Sequence, residues 1–161
     1  KPDFADTSRI APAMSFQQAK GLLPKPVSGV ELAGFQQKTN AGDISQGISI
    51  ATRSETRVLS PSDGWVIYAG PFRSYGQLLI VNAGEGYHVV LAGMERINVE
   101  LGQFVLAGEP VGIMGASRVA SNVNVDTGST RPVLYVEFRK DGNSIDPSPW
   151  WAKSSVEERN G

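Results

Sequence analysis

The sequence contains no cysteine and a single histidine, His88. The missing cysteines exclude disulfide scaffolds, thiolate zinc sites and cysteine nucleophiles. A single histidine excludes a zinc site built on several imidazoles and leaves one candidate imidazole base. The chain therefore offers few of the side chains that thiol enzymes and zinc enzymes use.

Long apolar runs and an excess of positive charge are also missing. No stretch of about 18 apolar residues occurs, so we expect no transmembrane helix. Fifteen Lys and Arg against 16 Asp and Glu give a net charge of −1, which argues against a strongly basic nucleic-acid binder. The 161 residues include 40% hydrophobic residues, 18 Gly and 10 Pro, enough for one domain with a real core. The chain begins Lys-Pro without a signal-peptide pattern, so we expect a fragment or processed product.

Short runs rich in Val, Ile, Leu, Tyr and Trp recur about every ten residues from Pro26 onward, separated by turn-forming residues. This spacing predicts an all-β sandwich or barrel-like sheet. Ser60–Gly64 is a predicted turn, and Asp141–Asn143 is a predicted hairpin turn between Arg139 and Ser144. The predicted strands are Gly29–Phe35, Gly47–Ala51, Arg57–Ser60, Gly64–Ala69, Gln77–Asn82, Tyr87–Met94, Pro110–Met114 and Val133–Arg139.

The chain is predicted to have three segments. Residues 1–23 are an N-terminal arm or linker, residues 24–152 are the domain, and residues 153–161 are a charged, solvated tail. Within the domain, the polar stretch 116–131 is long for a loop, and loops of this length usually carry function or move.

The predicted arm contains one helix signal. Ser15 and Gln18 have the spacing of a capping box, which predicts a short helix over Phe16–Leu22, with an irregular arm as the alternative. Near the other end of the chain, Trp150 and Trp151 are expected to cover the edge of the core.

Five phrases of the sequence resemble one family by their order and spacing. They are Ser45–Ile50, Val58–Val66, Tyr75–Val81, Gly102–Gly112 and Pro132–Arg139, followed by Asp146-Pro147 and Trp150. Together they resemble the LytM/lysostaphin-type zinc peptidase domain over roughly residues 26–151. The resemblance implies a mainly β, LytM-like antiparallel β-sheet groove fold with a short N-terminal helix or arm.

The positions that carry the chemistry of active family members are all replaced here. The resemblance implies that the first phrase of active members reads His-x-Gly-x-Asp and supplies two zinc ligands. A further histidine assists the chemistry. The last phrase reads His-Leu-His, in which the first histidine is the base and the second completes the metal site. The matching positions hold Ser45, Ser49, Gly93, Val133 and Tyr135. Serine hydroxyls and a neutral tyrosine are poor zinc ligands, and without zinc a water is not activated near pH 7. We therefore expect a degenerate peptidase domain with no metal, no cofactor and no catalysis.

His88 does not replace the lost groups. It precedes Gly93 by five residues in the same predicted strand, and an odd spacing places two side chains on opposite faces of a strand. We expect a strand histidine that is satisfied by a neighbour.

A narrower resemblance rests on Ala69–Ile80, Gly86–Met94 and the ending Asp146–Trp151. These phrases resemble the EnvC-like murein hydrolase activators of the alphaproteobacterial type. The resemblance implies a periplasmic protein at the division site that binds and switches on a zinc N-acetylmuramoyl-L-alanine amidase for septal peptidoglycan splitting. It also implies docking on the cell-division ABC transporter complex through a coiled coil that is missing from this chain.

On this hypothesis the former active-site groove binds a segment of the amidase. Tyr75 and Tyr135 are the expected aromatic anchors, and Arg73 and Arg139 are the expected forked donors for carboxylates. The remaining predicted groove residues are expected to form a smooth floor for a partner helix: Ser45, Ser49, Gly93 and Val133.

Three other functions stay open. A passive peptidoglycan-binding module suits a groove descended from one that held glycan-linked peptide. An active peptidoglycan endopeptidase needs metal ligands that the sequence lacks. A lipoyl or biotinyl carrier is suggested by Pro61–Gly64 and Gly102–Val111, but no lysine lies at a tight hairpin tip to accept the cofactor.

Overall fold

The computed structural model describes residues 11–39, 41–117 and 130–153. This part of the chain contains eleven β-strands and one 3₁₀ helix, which confirms the predicted mainly β fold. The strands are β1 (Val30–Ala33), β2 (Ile48–Ala51), β3 (Arg57–Leu59), β4 (Gly64–Pro71), β5 (Gln77–Gly84), β6 (Tyr87–Met94), β7 (Arg96–Ile97), β8 (Phe104–Val105), β9 (Pro110–Ile113), β10 (Val133–Lys140) and β11 (Asn143–Ile145), and the helix is Ser148–Trp150. Within the described ranges, no helix has the length and apolar content needed to cross a membrane.

The strands form two sheets. The large sheet has eight strands, ordered β1-β2-β10-β6-β5-β4-β8, with β11 also paired to β10. The small sheet has the order β3-β9-β7. Every pairing between these eleven described strands is antiparallel, so strands next to each other in the chain can be joined by short turns.

Strand β10 lies in the middle of the large sheet and pairs with β2, β6 and β11. Successive side chains of a strand point to opposite faces. Leu134, Val136 and Phe138 are 0% exposed and belong to the core, so Tyr135 and Arg139 lie on the outer face. One strand thus supplies both the centre of the core and a line of polar side chains.

The core joins residues of both sheets. Val58 and Val111 of the small sheet and Leu79 and Leu91 of the large sheet belong to one cluster and are each 0% exposed. Each buried side chain of this kind contributes about 1.5–3 kcal/mol through removal of apolar surface from water. This burial fixes the large sheet and leaves its outer face available.

The predicted hairpin after β10 is confirmed. Lys140 and Asn143 are paired, and the two residues between them have φ values of 51° (Asp141) and 86° (Gly142). Two positive φ values in a two-residue loop are the geometry that matches the twist of antiparallel strands. Asn143 belongs to β11 rather than to the turn.

The predicted capping box forms, but the predicted helix over Phe16–Leu22 does not. The Ser15 N–H donates to Gln18 Oε1 at 3.2 Å, and the Gln18 N–H donates to Ser15 Oγ at 3.1 Å. The residues that follow form consecutive hydrogen-bonded turns. A segment of seven residues makes too few helical hydrogen bonds to offset the cost of nucleation, and Gly21 leaves the helical region with a φ of 83°.

Phe16 fastens this segment to the β domain. Its ring is 3% exposed and lies 4.8, 5.2 and 5.0 Å, between centroids, from the rings of Tyr87, Phe138 and Trp150. Trp150 is 4% exposed and donates from Nε1 to the Phe16 carbonyl oxygen at 2.7 Å. Trp150 and Trp151 were expected to cover the edge of the core; Trp150 belongs to the core cluster itself, and the partly buried Trp151 packs against it. The segment boundaries at residues 23/24 and 152/153 stay predictions.

Three short strands were not predicted. β7, β8 and β11 have two or three residues each, too few to show an alternating pattern.

Most of the long polar loop (118–129), the arm's first ten residues (1–10) and most of the tail (154–161) lie outside the described residues.

We predict that Phe16→Ala lowers the free energy of unfolding by about 3–5 kcal/mol, because it empties a site enclosed by three aromatic rings. Leu22→Ala in the same segment is the matched control. Leu22 is 58% exposed, so its loss should change stability by less than about 0.5 kcal/mol. Urea denaturation of both variants measures the difference, and equal stabilities would show that the segment is not packed on the domain.

Candidate functional site

The outer face of the large sheet carries a groove of about 590 Å³. Its floor is apolar and comes from alternate positions of two strands, Leu78 and Ile80 of β5 and Val90 and Ala92 of β6. Leu79, between the first two, is 0% exposed and lies in the core, as strand alternation requires. The other described lining residues are Thr39, Asp43, Ile44, Ser45, Gln46, Ser49, Phe72, Arg73, Tyr75, Tyr135, Glu137 and Arg139.

The loop between β4 and β5 forms an aromatic rim. The Phe72 N–H donates to the Gly76 carbonyl oxygen at 3.1 Å, and the Tyr75 N–H donates to the Phe72 carbonyl oxygen at 3.0 Å. Phe72 and Tyr75 are 36% and 40% exposed, and their ring centroids are 6.0 Å apart. Arg73, between them, has a left-handed backbone with a φ of 54°. Two aromatic side chains and one cation are therefore presented together at the rim.

The segment that enters β2 supplies a second part of the lining. Ile44 is 48% exposed, whereas the next residue, Ser45, is 8% exposed and donates from Oγ to the Gly47 carbonyl oxygen at 2.7 Å. Ser49 is 4% exposed and lies opposite Tyr135 in the β2–β10 register. Both predicted serines thus line the groove, with small side chains that leave room for a ligand.

Three alternate residues of β10 are linked through one carboxylate, in an arrangement that we name the brace. The Tyr135 hydroxyl donates to Glu137 Oε1 at 2.6 Å, and Arg139 Nη1 donates to Glu137 Oε2. Arg139 Nη2 donates to the Gly142 carbonyl oxygen in the hairpin turn. Glu137 is 9% exposed, so this buried carboxylate has a hydrogen-bond donor at each oxygen.

Burial, together with the brace, keeps Tyr135 protonated. Burial raises the pKa of the Tyr135 hydroxyl far above its ordinary value of 10.0, and the hydrogen bond to Glu137 raises the pKa further. Both effects disfavour the phenolate, because it would be poorly solvated and would face a carboxylate. Tyr135 is therefore a neutral hydrogen-bond donor with an aromatic face.

Six of the eight predicted groove residues line the groove, and two are absent from its described lining. Gly93 has a φ of 110° at an irregularity in the β5–β6 register, and Ala92 before it lines the groove. Val133 is 1% exposed. His88, opposite Arg139 in the β6–β10 register, is also outside the described lining.

Glu137, the centre of the brace, was not among the predicted site residues. Its position was available from the sequence, because it lies midway between Tyr135 and Arg139 in a predicted strand with a period of two. The same periodicity marks the floor residues Leu78 and Ile80. The exposed Ile44 and Phe72 lie outside strands, and no periodic signal marks them.

The profile of peptidase family M23 matches residues 43–147, more than half of the chain. The chain belongs to peptidase family M23. This result confirms the predicted LytM-type domain.

Curated relatives of this M23 domain include murein hydrolase activators. Uncharacterized protein NMB1333 of Neisseria meningitidis serogroup B is 35% identical over 88% of this chain and 22% of its own length. Murein hydrolase activator EnvC of Escherichia coli is 27% identical over 93% of this chain and 34% of its own. Cell division protein DipM of Caulobacter vibrioides is 31% identical over 74% of this chain and 18% of its own. The chain thus spans between 18% and 34% of the lengths of these relatives.

A solved structure confirms the fold of the M23 domain. A zinc-containing peptidase from Vibrio cholerae matches with a TM-score of 0.63 at 22% identity, over 83% of this chain and 41% of that chain. At this identity the likeness concerns the fold.

The donor groups of the groove do not suit the zinc ion that the resemblance to active peptidases implies. The Ser45 hydroxyl is engaged with a backbone carbonyl, and the Tyr135 hydroxyl is held protonated against Glu137. Zinc sites in proteins use thiolate, imidazole or carboxylate ligands in sets of three or four. In the described ranges, no group of three His, Cys, Asp or Glu side chains is placed to hold a metal ion.

We predict that Tyr135 makes the protein less stable at high pH. Because its pKa is raised in the folded state, its contribution is fully present below the unfolded value of 10.0 and is lost as pH rises above it. Melting temperatures measured from about pH 8 to pH 11 should fall more steeply for the unaltered protein than for Tyr135→Phe. Melting temperatures that fall equally with pH in the two proteins would show that the pKa of Tyr135 is not raised in the folded state.

Proposed function

We propose that this M23 domain is a non-catalytic activator, which binds and switches on a periplasmic zinc N-acetylmuramoyl-L-alanine amidase that splits septal peptidoglycan. The observation that carries the proposal is the groove, which combines an apolar floor and an exposed aromatic rim with donors unsuited to zinc. Relatives named as murein hydrolase activators and as a cell division protein support the activator role.

The shape and chemistry of the groove suit an amphipathic helix of the amidase. A helix that enters a groove buries apolar side chains at positions i, i+3 or i+4, and i+7. The aliphatic side chains of β5 and β6 would contact such a row from below, and Phe72, Tyr75 and Ile44 would contact it at the rim. Tyr135 adds an aromatic face and a hydroxyl, features that are enriched at interface hot spots.

Binding of this kind supplies enough free energy to switch an enzyme. We propose that the resting amidase has a blocked zinc site and that the groove binds a segment which is available in its open state. A shift of that equilibrium from 1:99 to 99:1 requires about 5.5 kcal/mol of differential binding. Three buried aliphatic or aromatic side chains at about 1.5–3 kcal/mol each reach this value, before the cost of ordering the segment.

The setting of the proposed activity is the periplasm at the division site. There a coiled coil outside this chain would dock on the cell-division ABC transporter complex. EnvC and DipM, of which this chain matches 34% and 18%, support an envelope location and a role in division.

We predict that Ile44→Glu reduces amidase stimulation at least tenfold while leaving the melting temperature unchanged. The side chain is 48% exposed at the rim, so a carboxylate there is hydrated in the free protein but would lose water against an apolar helix. Leu101→Glu is the matched control, because Leu101 is 69% exposed and lies outside the described lining. Dye release from labelled sacculi, with purified amidases of the same genome, measures stimulation.

Three outcomes would contradict the proposal. One is normal stimulation by Ile44→Glu, and a second is equal loss with the Leu101→Glu control. The third is release of dye by this chain alone together with bound zinc in the purified protein, which would indicate an endopeptidase. Pelleting with sacculi in the absence of amidase, without stimulation in its presence, would favour a passive peptidoglycan-binding module.

A further inference from the structure

The two arginines of the groove differ in what they contact. Arg139 donates from Nη1 to the Glu137 carboxylate and from Nη2 to the Gly142 carbonyl oxygen. Both terminal nitrogens of its guanidinium are therefore engaged within the protein. A partner carboxylate that approached Arg139 would compete with a buried carboxylate already at hydrogen-bonding distance.

Arg73 has no such contacts. It is exposed at the tip of the rim loop, and within residues 11–39, 41–117 and 130–153 it makes no hydrogen bond or ion pair. Its guanidinium carbon lies 5.1 Å from the centroid of the Phe72 ring. Stacking on an aromatic face restrains a guanidinium while leaving its N–H edge available.

The charges of the groove are therefore unequally available. Glu137 and Arg139 neutralise each other, and Asp43 is engaged in an interaction of its own. Among the described charged residues of the lining, Arg73 is the one without a polar partner. The charge left for a ligand is thus a single cation beside two exposed aromatic rings.

We propose that Arg73 is the specificity residue of the groove, and that it pairs with a carboxylate on the apolar helix of the amidase that the groove binds. Arg139 is a positioning residue, which acts through Glu137 to hold the Tyr135 ring and hydroxyl in place. The inference rests on the proposed function and adds the chemistry of the partner, which is an amphipathic helix with an Asp or Glu beside its apolar row. The guanidinium fork suits a carboxylate because two N–H groups can donate in parallel.

The test compares Arg73→Gln with Arg139→Gln in binding to the purified amidases of the same genome. Calorimetric titrations at about 0.05 M and 0.5 M salt measure how strongly each affinity depends on charge. Loss of a rim charge changes the salt dependence of association, so Arg73→Gln should bind about fivefold more weakly at low salt and lose most of that dependence. Arg73→Lys keeps the charge, so it should recover part of the affinity at low salt and part of the salt dependence.

Arg139→Gln should give a different pattern. Its affinity should fall while its salt dependence stays that of the unaltered protein, and its melting temperature should fall because Glu137 loses a partner. The melting temperature of Arg73→Gln should not change, since the Arg73 side chain has no polar contact to lose within the described part of the chain. An Arg73→Gln variant with unaltered affinity and salt dependence would overturn the inference, as would an Arg139→Gln variant that alone removes the salt dependence. Absence of binding by the unaltered protein would instead overturn the proposed function, and this inference with it.

Discussion

The alternation of side chains along β10 is the constraint on which the rest of the structure depends. Leu134, Val136 and Phe138 enter the core, so Tyr135, Glu137 and Arg139 must share the outer face. Residues two apart on one strand face lie about 6.5 Å apart, a distance that lets the central carboxylate reach the side chains on both sides. A slip of one residue would exchange the two sets, and the pairing of β10 with β2, β6 and β11 prevents it.

The brace organises the groove more than it stabilises the fold. Removing two charges from water costs several kcal/mol per ion, and their attraction offsets this only when the geometry is good. Glu137 meets that condition, since one oxygen accepts from a tyrosine and the other from an arginine. An apolar residue at position 137 would pack at lower cost, but it would leave the Tyr135 hydroxyl and the Arg139 guanidinium free to adopt other rotamers. The gain is therefore one defined arrangement of an aromatic anchor on the groove wall.

The sequence predicted long-range features better than irregular ones. Strands of four or more residues were found from their runs of Val, Ile, Leu, Tyr and Trp between turn-forming residues. The family resemblance located six groove residues in three separate segments, five of them in the five phrases and Arg73 in the narrower Ala69–Ile80 phrase. Gly93 was predicted to line the groove but is absent from its described lining, because the strand is irregular there and the usual alternation does not hold. The helix over Phe16–Leu22 failed for another reason: the capping box is correct locally, but burial of Phe16 against three aromatic rings decides the path of the segment. Glu137 could have been found by applying the period of two to β10 without regard to residue type.

The proposed partner would account for the exposed apolar residues at the rim. Single exposed residues such as Leu101 and Val30 are ordinary on a protein surface, but Ile44, Phe72 and Tyr75 line the same groove above an apolar floor. Under the proposed function, this cluster is part of the surface that contacts the amidase. The floor of the groove comes from β5 and β6, two central strands of a sheet whose other face belongs to the core, so the domain would lose little conformational entropy on binding the proposed partner. The entropy cost of ordering would then fall mainly on the amidase segment. That segment is also the part of the proposed amidase that differs between its resting and open states, so binding it shifts the equilibrium between them.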